Sequence, residues 1–436
     1  MRIGVAQTDI TPDVGVELSG FARRVQPSTG ILDPLYAKCV CLEQGKERLL
    51  WIHCDLVGLE REFVTGFRRW ARDFLGLADR QVLISATHTH SGPATIVLQE
   101  AGAYDAKYVT FMKSQLQDLA ELALANRQPC EVVFVEGNLD LAVDRRKKAT
   151  PHTDPRVGGI GFRRADGQYA AVVVNYAMHA VALGPSNRMI SADVPGRAAA
   201  ALSRQLPGEP MVLVTNGACG NLNPPRENVT AAQLEEWGTQ IANAVAPLLS
   251  SAAGVSDPAF RTVSRIVPLP LDALSVAEIE AYAANIGKDS SSLAEWGDGF
   301  RRAVDTWRRT MIEAVHDRRA SSTRDAELFA ICIGDLTLLG MNAEVFSRFT
   351  DDLRQATGRK LYVLGYANGD MGYIPTRAAY HEGGYEVDIA HIFYCNYRPK
   401  AGGLELLADN ASKLLKEIGP HAGSDARNAT PSQTTA

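Results

Sequence analysis

Short apolar runs rich in β-branched residues recur along this chain, and each stops abruptly in polar or glycine-containing sequence: LLWIHCD, QVLISATHTH, YAAVVVNYAMH, MVLVTNGACGN, DLTLLGMNAE and KLYVLGYANGD. Runs this short, bounded by turn formers, read as buried strands. Helical patterns lie between several of them. Phe63, Phe67, Trp70 and Phe74 recur at i, i+4, i+7 and i+11, and Tyr108, Phe111, Leu119 and Leu122 form a second apolar face. Alternating strands and helices argue an α/β fold. The runs ELFAICI and LTLLGM are separated only by Gly334-Asp335, a hairpin signal. The expected architecture is therefore α/β with a mixed β-sheet core and flanking helices, not a doubly wound parallel sheet.

Residues 1–422 read as a single domain. Within it, 272–325 is charged, Ala-rich and helical in pattern, with Trp296 and Trp307 as apolar anchors, and is expected to form an insertion or lid. Positions 423–436 are small and polar, the composition of a disordered tail. No internal repeat is visible.

Composition narrows the partners. A 46% hydrophobic fraction can fill a core, and a net charge of −5 leaves no basic footprint for nucleic acid or anionic membranes. A small-molecule substrate is the expected partner, and a homo-oligomer is left open. The N-terminal MRIGVAQTDI has no apolar signal region, and no run of eighteen apolar residues occurs, so the chain is expected to be cytoplasmic with no stable membrane association. The seven cysteines are odd in number and scattered in apolar runs, which suits reduced buried thiols. Cys39 and Cys41 lack a second pair at zinc-finger spacing.

The chemistry-bearing residues cluster after strands. In THTHSGP, His88 and His90 are two apart, so a strand would project both imidazoles to one face, although HxH also arises by accident. His179 closes the run VVVNYAMH, where a hydrogen-bonded core histidine is the competing explanation. Glu344 stands where a strand gives way to an amphipathic helix, and helix-terminal charge complementarity would account for it equally well. With Asp55, Asn221, Asn223, Asn368, Asp370 and Tyr373 these residues follow strands, and in α/β folds ligands gather at the carboxyl ends of strands. Imidazoles with a carboxylate suit Zn²⁺ rather than Mg²⁺ or Ca²⁺, which want mostly oxygen ligands. The glycine-containing NGACGN turn matches neither phosphate-binding fingerprint. His53, His152, Asp193, His381 and His391 are read as structural or supporting.

The motifs THTHSGP, NYAMHAVAL with ISADVPG, NAEVFSRF and GYANGDMGYIPTRAAYHEGGYE occur in the order found in neutral, alkaline-active ceramidases. The opening segments IGVAQTDITP, LSGFA and WIHCDLVGL also resemble that family, so the likeness runs from residue 1 to about 395. The resemblance implies a zinc ion, one per chain, held by His88, His179, Glu344 and Tyr373, with His90 beside the attacking water. It matches Arg145 with an arginine that holds the amide carbonyl; an ordinary basic surface run, with Arg146, Lys147 and Lys148, is the alternative.

Two departures stand out. Where the family has a serine in Gly-Asp-x-Ser-Pro, this chain has Asn221 and Asn223 in GACGNLNPP. The family's immunoglobulin-like C-terminal domain has no counterpart after about residue 420. The expected function is a zinc-dependent hydrolase whose activated water cleaves an amide or lactam bond of a small substrate, with His90 transferring a proton near its ordinary pKa of about 6.5. Asn223, the NGACGN backbone or Tyr373 would donate to the oxyanion. The alternatives are an esterase or lactonase at the same site, a true ceramidase, and a non-catalytic metal-binding or ligand-binding pseudoenzyme.

Overall fold

The computed structural model describes residues 1–146, 151–255, 258–286, 288 and 290–418. Three sheets of four or five strands carry the fold, and all three are wired alike. In the first, Arg2–Asp9, Tyr36–Gln44 and Glu47–Cys54 pair antiparallel in succession. The helix Arg61–Leu75 then crosses to Val82–Ala86, which pairs in parallel with Glu47–Cys54 at the sheet edge. The helix Ala106–Ala125 packs back on the earlier strands.

The second sheet repeats this path through Glu131–Asn138, Arg156–Arg163, Tyr169–Tyr176, the helix Asp193–Gln205 and the parallel edge strand Met211–Asn216, and the helix Ala231–Ser251 returns. The third repeats it through Phe260–Pro270, Thr323–Ile333, Leu336–Met341, the helix Arg348–Thr357 and the parallel edge strand Lys360–Leu364, with the helix Gly403–Glu417 returning. The expected absence of a repeat thus holds for residues but not for topology. The hairpin expected at Gly334-Asp335 joins two of these strands, and Gly334 supplies the left-handed φ of 59° that the turn needs.

An edge strand buried against another sheet exposes backbone groups that must find partners. Here polar side chains from the neighbouring sheet supply them. Lys38 Nζ donates to Val212 O at 2.8 Å, and His53 Nε2 lies 3.0 Å from Val214 O. Asn175 Nδ2 donates to Val363 O at 2.9 Å. Asn368 meets Ile84 twice, through its side-chain oxygen at 3.0 Å and its backbone N–H at 2.7 Å. Around these ties lies an apolar core drawn from all three sheets, including Trp51, Leu83, Val173, Leu213, Phe329 and Tyr362. Burial, with Lys38 nearby, pulls the His53 pKa down to about 3, so this imidazole is neutral.

Some packing differs from the periodicity. On Arg61–Leu75 the buried stripe is Val64, Phe67 and Ala71, while Phe74 is 74% exposed. On Ala106–Ala125, Tyr108, Met112, Leu116 and Leu119 are buried, whereas Phe111 and Leu122 are exposed. Phe63 and Trp70 pack against the edge of the same core, so the aromatic stripe lies beside the buried one and only its end, Phe74, is in solvent. The cysteines are free; Cys130 and Cys395 are only partly buried.

Segment 272–325 is mainly two helices, Val276–Ile286 and Ser290–His316, inserted between the first two strands of the third sheet. Trp307 is fully buried beneath them. Among the described residues no helix is long and apolar enough to cross a membrane. Residues 423–436, Lys147 and Lys148 lie outside the described residues.

Candidate metal centre

The loops leaving the carboxyl ends of the parallel pairs meet at one point. His88 is the second residue after Val82–Ala86, His179 the third after Tyr169–Tyr176, and Glu344 the third after Leu336–Met341. All three are buried, and their ligand atoms lie within 4.8 Å of one another. His179 Nε2 is 2.9 Å from Glu344 Oε2, and His88 Nε2 is 3.5 Å from the same oxygen. Both rings are oriented from behind: His88 Nδ1 lies 2.5 Å from Val57 O and His179 Nδ1 lies 2.9 Å from Leu222 O. A proton on each Nδ1 directs each Nε2 toward the carboxylate, the orientation metal-binding histidines use; on His179 that Nε2 carries a proton held by Glu344, which a bound cation would displace.

The electrostatics follow from burial and pairing. Burial would raise the Glu344 pKa, but His88, His179 and the Tyr394 hydroxyl, which donates to Oε1 at 2.6 Å, hold it at about 2. Burial lowers His88 to about 4 against the opposing pull of Glu344. His179 is pulled down by burial but raised to about 10 by Cys219 and Glu344. Helix-terminal charge complementarity therefore does not account for Glu344, whose carboxylate turns into this group.

Tyr373 joins through the backbone, since Glu344–Val345 and Tyr373–Ile374 pair in parallel with Glu344 opposite Tyr373. Its hydroxyl is 3.4 Å from His179 Nε2. Arg145 is no surface residue. Its guanidinium lies over the Tyr373 and Tyr385 rings at 5.2 and 5.7 Å, and it donates to Glu386 Oε1 at 2.8 Å and Gly220 O at 2.9 Å. These groups face a cavity of about 510 Å³ that also reaches His88, His90, Asn223 and Trp296.

Comparison with known proteins bears on the fold. The family model described as neutral/alkaline non-lysosomal ceramidase, N-terminal, matches residues 1–214. Over that stretch the chain is similar to the neutral/alkaline non-lysosomal ceramidase family. The neutral ceramidase of Pseudomonas aeruginosa is 24% identical over 220 residues, covering 45% of this chain and 32% of that protein. The neutral ceramidase of Drosophila melanogaster is 24% identical over 231 residues, covering 47% of this chain and 32% of that protein. The matched stretch is thus about a third of the length of these curated relatives. The crystal structure of the Pseudomonas aeruginosa enzyme superposes with a TM-score of 0.72 at 18% identity, over 95% of this chain and 74% of that one. A structure of ceramidase complexed with C2 gives a TM-score of 0.72 at 18% identity, over 95% and 75%. The likeness to the solved structures shows the fold, and the ceramidase-like mixed α/β architecture is the one expected from the sequence.

Against the family pattern, the two asparagines of GACGNLNPP part company. Asn223 lines the cavity and accepts from Arg145 Nη1 at 3.3 Å. Asn221 is turned away: its side-chain oxygen accepts the Ser347 N–H at 2.8 Å, and its amide donates to Asp144 at 2.9 Å and His152 O at 3.1 Å. His152 in turn lies 2.7 Å from Ser347 Oγ and 2.9 Å from Asp351. This serine–histidine–aspartate line resembles a hydrolytic triad, but Ser347 is fully buried and also donates to His152 O, so it anchors the helix that follows Glu344.

His90 departs from its expected titration. Burial, reinforced by His88, His179 and two arginines, holds it well below the ordinary imidazole range, so it is neutral. Asp55 accepts the Tyr36 N–H and lies near Lys38, and Asp193 accepts the Ala182 and Leu183 N–H groups behind His179. Asp370 accepts from Gly372 N and Tyr394. His391 is buried behind the site; His381 sits near the end of a short helix.

Sequence reasoning missed Tyr366, Tyr394, Tyr385, Glu386 and Cys219. The Tyr366 ring stacks on His88 at 3.9 Å, and its hydroxyl lies 3.1 Å from His179 Nε2, 3.3 Å from Glu344 Oε2 and 3.4 Å from Cys219 Sγ. It is the second residue after its edge strand, as His88 is, and the two share a left-handed φ, 55° and 58°. The strand-end rule that selected His88 selects Tyr366 as well.

Proposed function

We propose that this chain is a zinc-dependent hydrolase that cleaves an amide bond of a small substrate. The carrying observation is the buried His88–His179–Glu344 group, wedged between the ends of three sheets and open to the cavity on one side. Its donor chemistry fits zinc: two imidazole nitrogens already turned by carbonyls, one ionised carboxylate, and the Tyr373 phenol in reach as a fourth donor. Bound zinc would polarise the substrate carbonyl and lower the pKa of water from 15.7 to about 7.

The chain's own groups supply the rest. Arg145, immobilised by Glu386 and Asn223, directs its charge at the cavity where carbonyl oxygen charge develops. The Asn223 amide, whose oxygen is taken by Arg145, has its N–H groups left for the same oxyanion. Neutral His90 donates from Nε2 to His88 Nε2 at 3.2 Å and keeps its lone pair on Nδ1, so it stands beside the ligand group with a proton to give and a site to take one. Glu295 and Trp296 from the helical segment cover the cavity as a lid. Arg23, Arg146, Glu227 and Glu382 line it together with Phe21, Leu98 and Phe393, a mixed wall whose charged groups suit a small hydrophilic amide better than the two long hydrocarbon chains of a ceramide.

Elemental analysis before and after chelation, with turnover of short N-acyl amines, lactams, esters and a ceramide, tests the reading. About one zinc per chain and chelator-sensitive cleavage of amides is the expected result. A protein that takes up no zinc, or that is inert on every amide when loaded, overturns it.

A further inference from the structure

Three histidines meet at this site, and one is held differently from the other two. His88 and His179 are each fixed by a backbone carbonyl at Nδ1, whereas the buried Nδ1 of His90 has no hydrogen-bond partner. Packing orients its ring instead. Gly20, at φ 102°, lays its backbone against the ring so closely that an added Cβ would stand 2.5 Å from Nδ1 and 2.8 Å from Cδ2. Phe21 meets the ring edge to face at 4.8 Å. Arg24, itself buried, donates to the His90 carbonyl at 2.6 Å and to Gly184 O at 3.2 Å, with its guanidinium over the Phe21 ring. The turn is secured in its own right, since Ser19 N–H donates to Gly92 O and Gly20 N–H to Ala101 O.

We propose that Gly20, Phe21 and Arg24 are positioning residues that aim the His90 imidazole at the cavity for proton transfer. An imidazole gripped by packing keeps its direction while its Nδ1 is committed to no protein partner and its Nε2 meets His88 Nε2 at 3.2 Å, which suits a group that must accept and return a proton. A glycine is required at position 20 on two counts, the left-handed backbone and the absent Cβ. The inference rests on the hydrolase reading for its function and on geometry alone for the clamp.

The test uses the full chain, zinc-loaded and labelled with ¹⁵N-histidine, as wild type, Gly20→Ala, Phe21→Leu and Phe21→Tyr, with His90→Gln to assign the ring signals. Gly20→Ala and Phe21→Leu are expected to shift the His90 ring resonances, leave those of His88 and His179 in place, and keep zinc content unchanged. On the amide substrate found active, kcat should fall about a hundredfold for Gly20→Ala, the scale of a displacement of about 1 Å at a reacting group, with KM little changed. Phe21→Leu should lose less, and Phe21→Tyr should recover wild-type signals and rate. Unmoved His90 signals in Phe21→Leu, a variant whose small volume change spares folding, overturn the clamp; so does loss of zinc alongside activity, which would make the turn a support of the metal group. If no amide is cleaved, the hydrolase reading fails, while the His90 resonances still decide whether the clamp exists.

Discussion

Two histidine-centred polar networks lie close together in this molecule, and among the described residues one of them lines a cavity. His152, Ser347 and Asp351 form the more familiar line of residues, yet Ser347 is fully buried at the start of the helix Arg348–Thr357. His88, His179 and Glu344 form no catalytic triad, but His88 and Glu344 open onto a cavity of about 510 Å³ with His179 against them. The difference teaches that residue types in hydrogen-bond reach do not make a site. Access, and groups turned toward one empty point, do.

That contrast can be broken by mutation, and the largest expected effect belongs to the open group. His179→Ala should lose bound zinc and all chelator-sensitive turnover, read by elemental analysis and rate together; retained zinc would remove His179 from the ligand set. Asn223→Ala should keep zinc but lower kcat about a hundredfold, the usual scale for one oxyanion donor. An unchanged rate would assign Asn223 to packing alone. In the other network, His152→Ala should leave turnover within about threefold while lowering stability by about 1–3 kcal/mol, the cost of stranding the buried Ser347 hydroxyl, measured from denaturant midpoints. A collapse of turnover at unchanged stability would reverse the assignment of the two networks.

The smallest effect on rate is expected at a sheet tie. His53 has a folded pKa of about 3, against about 6.5 for a free imidazole. Between those values the unfolded chain binds a proton that the folded chain refuses, so stability falls as pH drops through this window. Buried His391, also at about 3, acts in the same direction. His53→Gln should flatten the slope of the denaturant midpoint between pH 6.5 and 3 without altering turnover at pH 7; an unchanged slope would mean that His53 does not carry this dependence.

Much of the site was legible one residue at a time. His88, His179 and Glu344 each stop an apolar run, and polar groups there cannot continue a buried strand. Tyr366 sits at an equivalent strand end, but an aromatic after an apolar run reads as more core. Asn221 and Asn223 looked alike because they are two apart on the sequence, whereas a short strand pair sends one to the helix cap and the other to the cavity. The periodicity of the two early helices was real: Phe67, Tyr108 and Leu119 are buried and Phe63 and Trp70 pack against the core, while Phe74, Phe111 and Leu122 lie at the solvent edge.

Local pattern by itself determined the strands, the mixed pairing at Gly334-Asp335, the α/β class and the chemical nature of the group at the strand ends, since these depend on neighbouring residues and on the cost of burying polar atoms. Only the tertiary structure decided that three units share one topology, that Lys38, His53, Asn175 and Asn368 close their exposed edges, and that Arg145 points inward. Each of these is a contact between positions far apart in the chain, and hydrogen bonds of that kind leave no period in a sequence.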